Sequence, residues 1–491
     1  MHPSILGLFI AGTCLVGCAS QRSAGPLAPD AAAPPPVAGQ ATEAADPALA
    51  SGQDSGQRAG PETRDGRWVT ASTASDFMLA GTSNQAFGVW IDVPTHAATG
   101  HVPTALTLAI DTSGSMSGDK IEHAREAARR LVDQMHDGDQ LSIVTFDDRG
   151  RVRMAPTAVD PQSRGQALAV IEELGASGGT AMFEGLKVAE SQMWSTPESH
   201  LVRRLVVISD GKATEGPTAP EDLGRVAEVG LQRGIQVSSI GVGLDYDEST
   251  LNELAIRSSG RLYHVEHAEQ LPRIIEQEVA LLESTAATDV EVELVAAPGV
   301  QLLGTDSARM EWREGALVVP VGAVFQGQQR ELLVRARVDD ARKGTKVLAS
   351  VRLHFRDPAE DGLRRVQETV LRATVTDDPS LVAAHANSRT ETLIAMREAS
   401  VFAQQASIQA NAGDLDRADE QLAIAEQRLE EQASRASSKQ DRDRAMKSAK
   451  KISSQRASIS KAKKAPAPAR ARASRKLGLE LNDDAMESKG Y

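Results

Sequence analysis

The chain has 491 residues, a formal net charge of −13 and two cysteines, Cys14 and Cys18. That length allows two or three domains with sizeable cores, and the acidic balance upstream of a basic segment at 434–476 argues against a nucleic-acid-binding body. With both cysteines so close to the start, the chain beyond them has no thiol and must fold without disulfides.

Residues 1–17 read as an export signal, with an apolar stretch from Ile5 to Val16 that is too short to span a bilayer. Leu15-Val16-Gly17-Cys18 looks like a bacterial lipobox, which implies cleavage before Cys18 and lipidation of that residue. The opening Met1-His2-Pro3-Ser4 departs from the usual pattern in having no Lys or Arg. Ala19, where an Asp would signal inner-membrane retention, favours an outer-membrane anchor in a bacterial cell envelope. Residues 18–64 are rich in Ala, Pro, Gly, Ser and Gln, cannot bury a core, and are expected to be a disordered tether.

From Trp68 the pattern changes: Phe87-Gly-Val-Trp-Ile-Asp-Val93 alternates as a strand does, so residues 65–102 are expected to supply early strands of a β-sandwich. Over 103–284, apolar runs at 106–110, 141–146, 205–208, 237–242 and 262–265 alternate with helical patterns near 121–134, 164–174, 182–194, 219–233, 248–257 and 271–283. Such alternation predicts an α/β fold, a doubly wound and mostly parallel sheet with helices on both faces. Residues 151–159 follow the second run too closely for a crossover helix and predict an antiparallel edge hairpin. Period-two segments separated by Gly, Asp or Pro turns fill 285–378 and complete the sandwich, into which the α/β domain is inserted.

Beyond Pro379 the chain becomes rich in Ala, Gln and Glu, and 379–432 predicts a C-terminal helical hairpin, similar to one tetratricopeptide unit, packed on the sandwich. Residues 433–491 are basic and hold no aromatic residue before Tyr491, so they are expected to be a disordered tail, solvated or in contact with anionic lipid or envelope polymer.

The motif with the most chemistry lies behind Leu106-Thr-Leu-Ala-Ile110. It reads Asp111-Thr-Ser113-Gly-Ser115, and Ser-Gly-Gly-Thr180 and Val-Val-Ile-Ser-Asp210-Gly follow downstream. A carboxylate at a strand end, then two hydroxyls at alternate positions on a tight turn, places oxygen ligands at the carboxyl edge of the sheet, where open α/β sheets bind ligands. Oxygen-only ligands suit a hard cation, Mg²⁺ first and Mn²⁺ or Ca²⁺ next. These residues resemble the metal-ion-dependent adhesion site (MIDAS) of the von Willebrand factor type A (VWA) family, a Rossmann-like fold. The five ligand positions match as Asp111, Ser113, Ser115, Thr180 and Asp210.

The resemblance implies a non-enzymatic, metal-dependent protein-binding domain, whose cation keeps one position open for an Asp or Glu carboxylate of the partner. Loops 115–119, 175–183 and 211–217 would set specificity. A VWA domain within a sandwich also resembles bacterial cell-surface proteins that include calcium-activated chloride channel homologues. Two alternatives stand beside adhesion: a scaffold for an envelope complex with a metal-independent role, and a metal-dependent hydrolase, for which the sequence offers no general base beyond the ligand carboxylates. Among weaker signals, His264-Val-Glu-His267 lacks a third zinc ligand nearby, Gly175-Ala-Ser-Gly-Gly179 lacks the P-loop ending, and Asp247 reads as a helix cap.

Overall fold

The computed structural model describes residues 66–95, 101–306, 309–339 and 342–489; the expected signal segment, Cys18 and the tether lie outside them. The chain begins with β1 (Val69–Thr73), β2 (Phe77–Leu79) and β3 (Asn84–Asp92). The α/β domain follows as β4 (Thr104–Asp111), α1 (Asp119–Gln134), β5 (Gln140–Phe146), β6 (Gly150–Ala158), α2 (Pro161–Glu172), α3 (Met182–Met193), β7 (Val202–Ser209), α4 (Pro220–Leu231), β8 (Ile235–Val242), α5 (Glu248–Arg257), β9 (Arg261–Val265) and α6 (Leu271–Glu283).

The sheet of this domain has the order β6-β5-β4-β7-β8-β9. All its pairings are parallel except β5 with β6, the expected edge hairpin. Every residue of β4 and of β8 is buried, which is why these segments read as continuous apolar runs rather than alternating ones. Each fully buried Leu or Ile, such as Leu108 and Ile110, contributes about 1.5–3 kcal/mol.

One face of the sheet is covered by α1, α2 and α6, with Ala124, Ala127 and Ala128 of α1 letting that helix lie close; the other is covered by α3, α4 and α5. Helix starts follow local chemistry. Asp160 and Ser163 form a reciprocal capping box on α2, and the Asp247 carboxylate accepts from Thr250 N–H at the start of α5. The chain leaves β4 for β5 on one side and returns to β7 on the other, so the switch point of the doubly wound sheet falls at the carboxyl end of β4.

After α6 the chain enters the sandwich strands β10 (Thr285–Ala296), β11 (Val300–Thr305), β12 (Glu311–Arg313), β13 (Ala316–Phe325), β14 (Gln329–Val338), β15 (Gly344–Asp357) and β16 (Leu363–Thr376). They form two sheets with the first three strands, β1-β3-β14-β11 and β12-β13-β10-β15-β16-β2. Their inner faces share one core, closed at one edge by Trp68 stacked on Phe355 with ring centroids 4.8 Å apart. The α/β domain is therefore inserted between β3 and β10 of a sandwich whose pairings are antiparallel except for β2 with β16.

The C-terminal part differs from its expectation. Instead of one hairpin and a tail, it holds α7 (Pro379–Ala384), α8 (Ser388–Asn411), α9 (Leu415–Arg435), α10 (Lys439–Lys463) and α11 (Ala467–Lys489). The segment expected to be a disordered basic tail is two long helices. The core residues of α10 are sparse, Ile452 and Ile459 one heptad apart among Ala445, Ala449 and Ala462, so mean hydropathy hides the seam while Ala sustains the helix. The basic side chains meet acidic ones of α9: Arg456 pairs with Asp419 at 2.9 Å and Glu426 at 2.7 Å, and Lys463 with Asp416 at 2.7 Å. The bundle sits on the sandwich through Leu393 against Trp90 and Leu333, and through Arg389 on Asp92 at 2.7 Å.

Helix α11 then returns to the α/β domain. Leu479 enters the core under α4 and α5, Arg475 donates to the carbonyls of Leu244 and Tyr246 at 2.9 and 3.1 Å, and Asn482 exchanges amide hydrogen bonds with Asn252. No helix among the described residues is long and apolar enough to cross a membrane.

Candidate metal centre

Parallel pairing sets Ile110 of β4 opposite Ile208 of β7, so Asp111 and the Ser209-Asp210 pair emerge side by side at the switch point. Asp111 is fully buried. Its Oδ1 accepts from Ser113 N–H at 2.9 Å, folding the turn back over the strand end, and its Oδ2 accepts from the Ser209 hydroxyl at 2.6 Å. The two motif hydroxyls, Ser113 Oγ and Ser115 Oγ, stand 3.0 Å apart, and Ser115 donates to Asp210 Oδ1 at 2.7 Å. A single 3₁₀ turn over Gly114–Met116 produces this spacing.

Thr180 arrives on the loop before α3, which is stitched to both neighbours. Gly114 N–H donates to Gly178 O at 3.0 Å, Ser177 N–H to Thr112 O at 2.8 Å, and Thr180 N–H to the Thr214 hydroxyl at 2.9 Å. Thr180 O in turn accepts from Thr214 N–H at 3.0 Å and Glu215 N–H at 3.3 Å. All five sequence-derived ligand positions thus lie on three loops tied to one another at one edge of the sheet. Ser113, Thr180 and Asp210 are buried with Asp111, whereas Ser115 is exposed at the mouth.

Burial pushes the Asp111 carboxyl up to about 6, the Ser209 and Ser113 hydrogen bonds oppose that, and nearby Asp210 adds to it. A buried carboxylate beside a second one calls for a cation. Lys120, in the first turn of α1, supplies one by pairing with Asp210 Oδ2. The donor set fits a hard divalent ion, since the motif presents two carboxylates and three hydroxyls and neither nitrogen nor sulfur. Asp111, Ser113, Ser115, Thr180 and Asp210 would hold that ion, which would offer Lewis acidity toward an incoming oxygen ligand.

A sequence profile of the von Willebrand factor type A domain matches residues 105–277. Those residues form a von Willebrand factor type A domain. Domains of this family commonly bind proteins and often carry a divalent metal at this edge of the sheet. An uncharacterized protein of Synechocystis, sll0103, is 27% identical over 269 residues, which is 52% of this chain and 63% of that one. The inter-alpha-trypsin inhibitor heavy chain H4 of Sus scrofa is 26% identical over 164 residues, 32% of this chain and 18% of its own. The chain therefore spans less than two thirds of these curated relatives.

Two solved structures share the fold. The von Willebrand factor type A protein from Catenulispora acidiphila superposes with a TM-score of 0.70 at 21% identity, covering 86% of this chain and 98% of that one. The ArnB paralog VWA2 from Sulfolobus acidocaldarius does so with a TM-score of 0.55 at 17% identity, covering 85% and 98%. Both coverages reach well past the VWA domain, so the sandwich and helices belong to the shared architecture. The expected likeness to calcium-activated chloride channel homologues finds no support in these comparisons.

Four participants in the VWA site were not singled out as parts of it from sequence: Lys120, Ser209, Thr214 and Asp148. Ser209 sits inside the Ile-Ser-Asp210 string and Lys120 just past the specificity loop 115–119, so only their orientation was hidden. Asp148 Oδ1 accepts from Gly179 N–H at 2.6 Å and fixes the Gly178–Thr180 loop. Gly178 has φ +78°, and a Cβ there would lie 2.7 Å from the Asp148 carboxylate, so this turn requires glycine. His264 and His267 are not brought together as ligands; burial lowers the His264 pKa beside Tyr246.

Proposed function

We propose that this protein captures a partner protein through a divalent cation, Mg²⁺ first, held by Asp111, Ser113, Ser115, Thr180 and Asp210, with the partner contributing an Asp or Glu carboxylate. The observation that carries this reading is the run of contacts from the Ser113 hydroxyl to the Ser115 hydroxyl to Asp210 at the switch point, with a buried Asp111 behind them. Two carboxylates roughly balance a divalent charge, so the bound ion would retain affinity for one more anionic oxygen. The exposure of Ser115 supports an open position at the surface. Lipidation at Cys18 would hold the domain at a bacterial envelope membrane, the outer one by the residue at position 19.

The test is a peptide-display selection run with Mg²⁺ and again with EDTA. The reading expects peptides bearing Asp or Glu to be enriched only with Mg²⁺, and the enrichment to vanish for Ser113→Ala and when the acidic residue is changed to its amide. Equal enrichment in EDTA would reject it. The pairing of Asp210 with Lys120 favours a second reading, an envelope scaffold whose site is satisfied internally, and such a role would survive EDTA.

A further inference from the structure

Two imidazoles and a carboxylate meet at the opposite pole of the VWA domain, where the strands of the sheet begin. His101 stands three residues before β4 on the connection from the sandwich, His136 follows α1, and Asp139 immediately precedes β5. None of the three belongs to the motif at Asp111. One ligand atom from each residue lies within 4.8 Å of the other two.

Asp139 is buried and its carboxylate is fixed by the main chain. Oδ1 accepts from Thr104 N–H at 2.9 Å and Oδ2 from His136 N–H at 3.0 Å, while His101 Nε2 lies 2.7 Å from Oδ1. The two imidazole rings stack with centroids 3.9 Å apart and planes 25° apart, and both histidines are exposed. The carboxylate is thus preorganised, and the rings stack on each other at the surface beside it. Ligand atoms around one ion at about 2.0–2.2 Å are themselves roughly 3–3.5 Å apart. Nε2 of His101 and Oδ1 of Asp139 are 2.7 Å apart, close to that separation, and a ligand atom of His136 lies within 4.8 Å of both.

We propose that His101, His136 and Asp139 form a second metal site, for a borderline divalent ion of the Zn²⁺ class. Neutral imidazole nitrogen with one carboxylate oxygen is a donor set for such ions, whereas the oxygen-only pole at Asp111 suits a hard one, so the two ends of the same sheet differ in the metal they take. Three protein ligands leave a position for water. The ion would join the strand-entry segment to the α1–β5 turn, fastening the VWA domain where the sandwich feeds into it. Backbone N–H groups on both carboxylate oxygens are the outer contacts that orient a ligating carboxylate.

The test uses the full chain, stripped with EDTA, dialysed and titrated with Zn²⁺ in excess Mg²⁺, beside His101→Ala/His136→Ala and Asp111→Ala/Asp210→Ala. One saturable equivalent of Zn²⁺ is expected in the wild type and in the Asp double variant, and none in the His double variant, whose far-UV circular dichroism should be unchanged because both residues lie at the surface outside the helices and strands. Co²⁺ should give visible ligand-field bands that vanish in the same His variant. An isotherm that survives loss of both histidines, or no saturable Zn²⁺ binding in the wild type, overturns the proposal. Because the Asp double variant isolates the MIDAS pole, failure of one site is separable from failure of the other.

Discussion

Lys120 Nζ makes an ion pair with Asp210 Oδ2, placing the first turn of α1 against the carboxylate that a cation at Ser113 and Ser115 would need. Asp210 is completely buried and the lysine is about a third exposed, so solvent screens the pair and its contribution is modest, about 1 kcal/mol or less. Removing the ammonium frees that carboxylate. Lys120→Met should strengthen Mg²⁺ binding several-fold, up to about tenfold, since 1.4 kcal/mol corresponds to a factor of ten. Parallel calorimetric titrations read this directly; weaker binding in the variant would make Lys120 a contributor rather than a competitor.

The Gly178 turn gives a variant that separates site from fold. Gly178→Ala places a methyl group against Asp148 and forces a left-handed conformation on alanine, at a cost of about 1 kcal/mol or more for the backbone alone. The loop is at the sheet edge, so the melting temperature should fall by only a few degrees. Mg²⁺ affinity should fall by about tenfold or more as Thr180 is displaced. Unchanged affinity would show that Thr180 is not part of the centre.

Stability also rests on a buried pair far from the metal. Arg204 of β7 and Glu278 of α6 are both about 2% exposed or less and lie 3.3 Å apart, and Glu278 accepts from Ser238 at 2.5 Å and Tyr263 at 2.6 Å. Glu278→Ala leaves the guanidinium buried without its partner and should cost about 3–5 kcal/mol in urea unfolding. Arg204→Met/Glu278→Leu should recover part of that loss, because an apolar pair removes both charged-group desolvation penalties while the Ser238 and Tyr263 hydroxyls still lack their acceptor. A double variant no better than the single one would contradict this account.

The α11 contact carries a pH dependence. Burial, then the neighbouring Glu248, Asp484 and Glu480 carboxylates, push Asp483 up to about 8, with Lys451 opposing; burial also raises Glu248 and Glu480. For a carboxyl raised on folding, the folded chain holds its proton while the unfolded chain has lost it above about pH 4. Stability is then greatest below the unfolded pKa and declines as pH rises toward 8. Melting temperature should therefore drop between pH 5 and pH 8 beyond the global trend, and Asp483→Asn should flatten that drop. An identical slope in the variant would remove Asp483 from the explanation.

The α/β domain was legible because β4, β7 and β8 are buried on both faces and read as apolar runs, while α1 and α6 carry strong one-sided patterns. The five expected ligand positions rest on the resemblance to the MIDAS motif; strand ends at the switch point account for Asp111 and Asp210, while Thr180 lies on the loop before α3. The α10 helix was not legible, because it packs mainly with alanine around Ile452 and Ile459 in a lysine-rich background, and the basic charge of α10 and α11 is matched by acidic residues of α9 and the VWA domain, as with Lys476 and Glu266 at 2.6 Å. Gly478 shows the same difficulty. A Cβ there would sit 2.0 Å from the Asn411 side chain, so the residue marks close packing of α11 on α8.

The central claim is most directly tested by calorimetric titration of Mg²⁺ into the full chain and into Asp111→Ala/Asp210→Ala, with circular dichroism as the check on folding. One saturable equivalent in the wild type, absent in a folded variant, is the predicted result. No binding in the wild type, or the same isotherm in both proteins, would contradict a cation held by these residues.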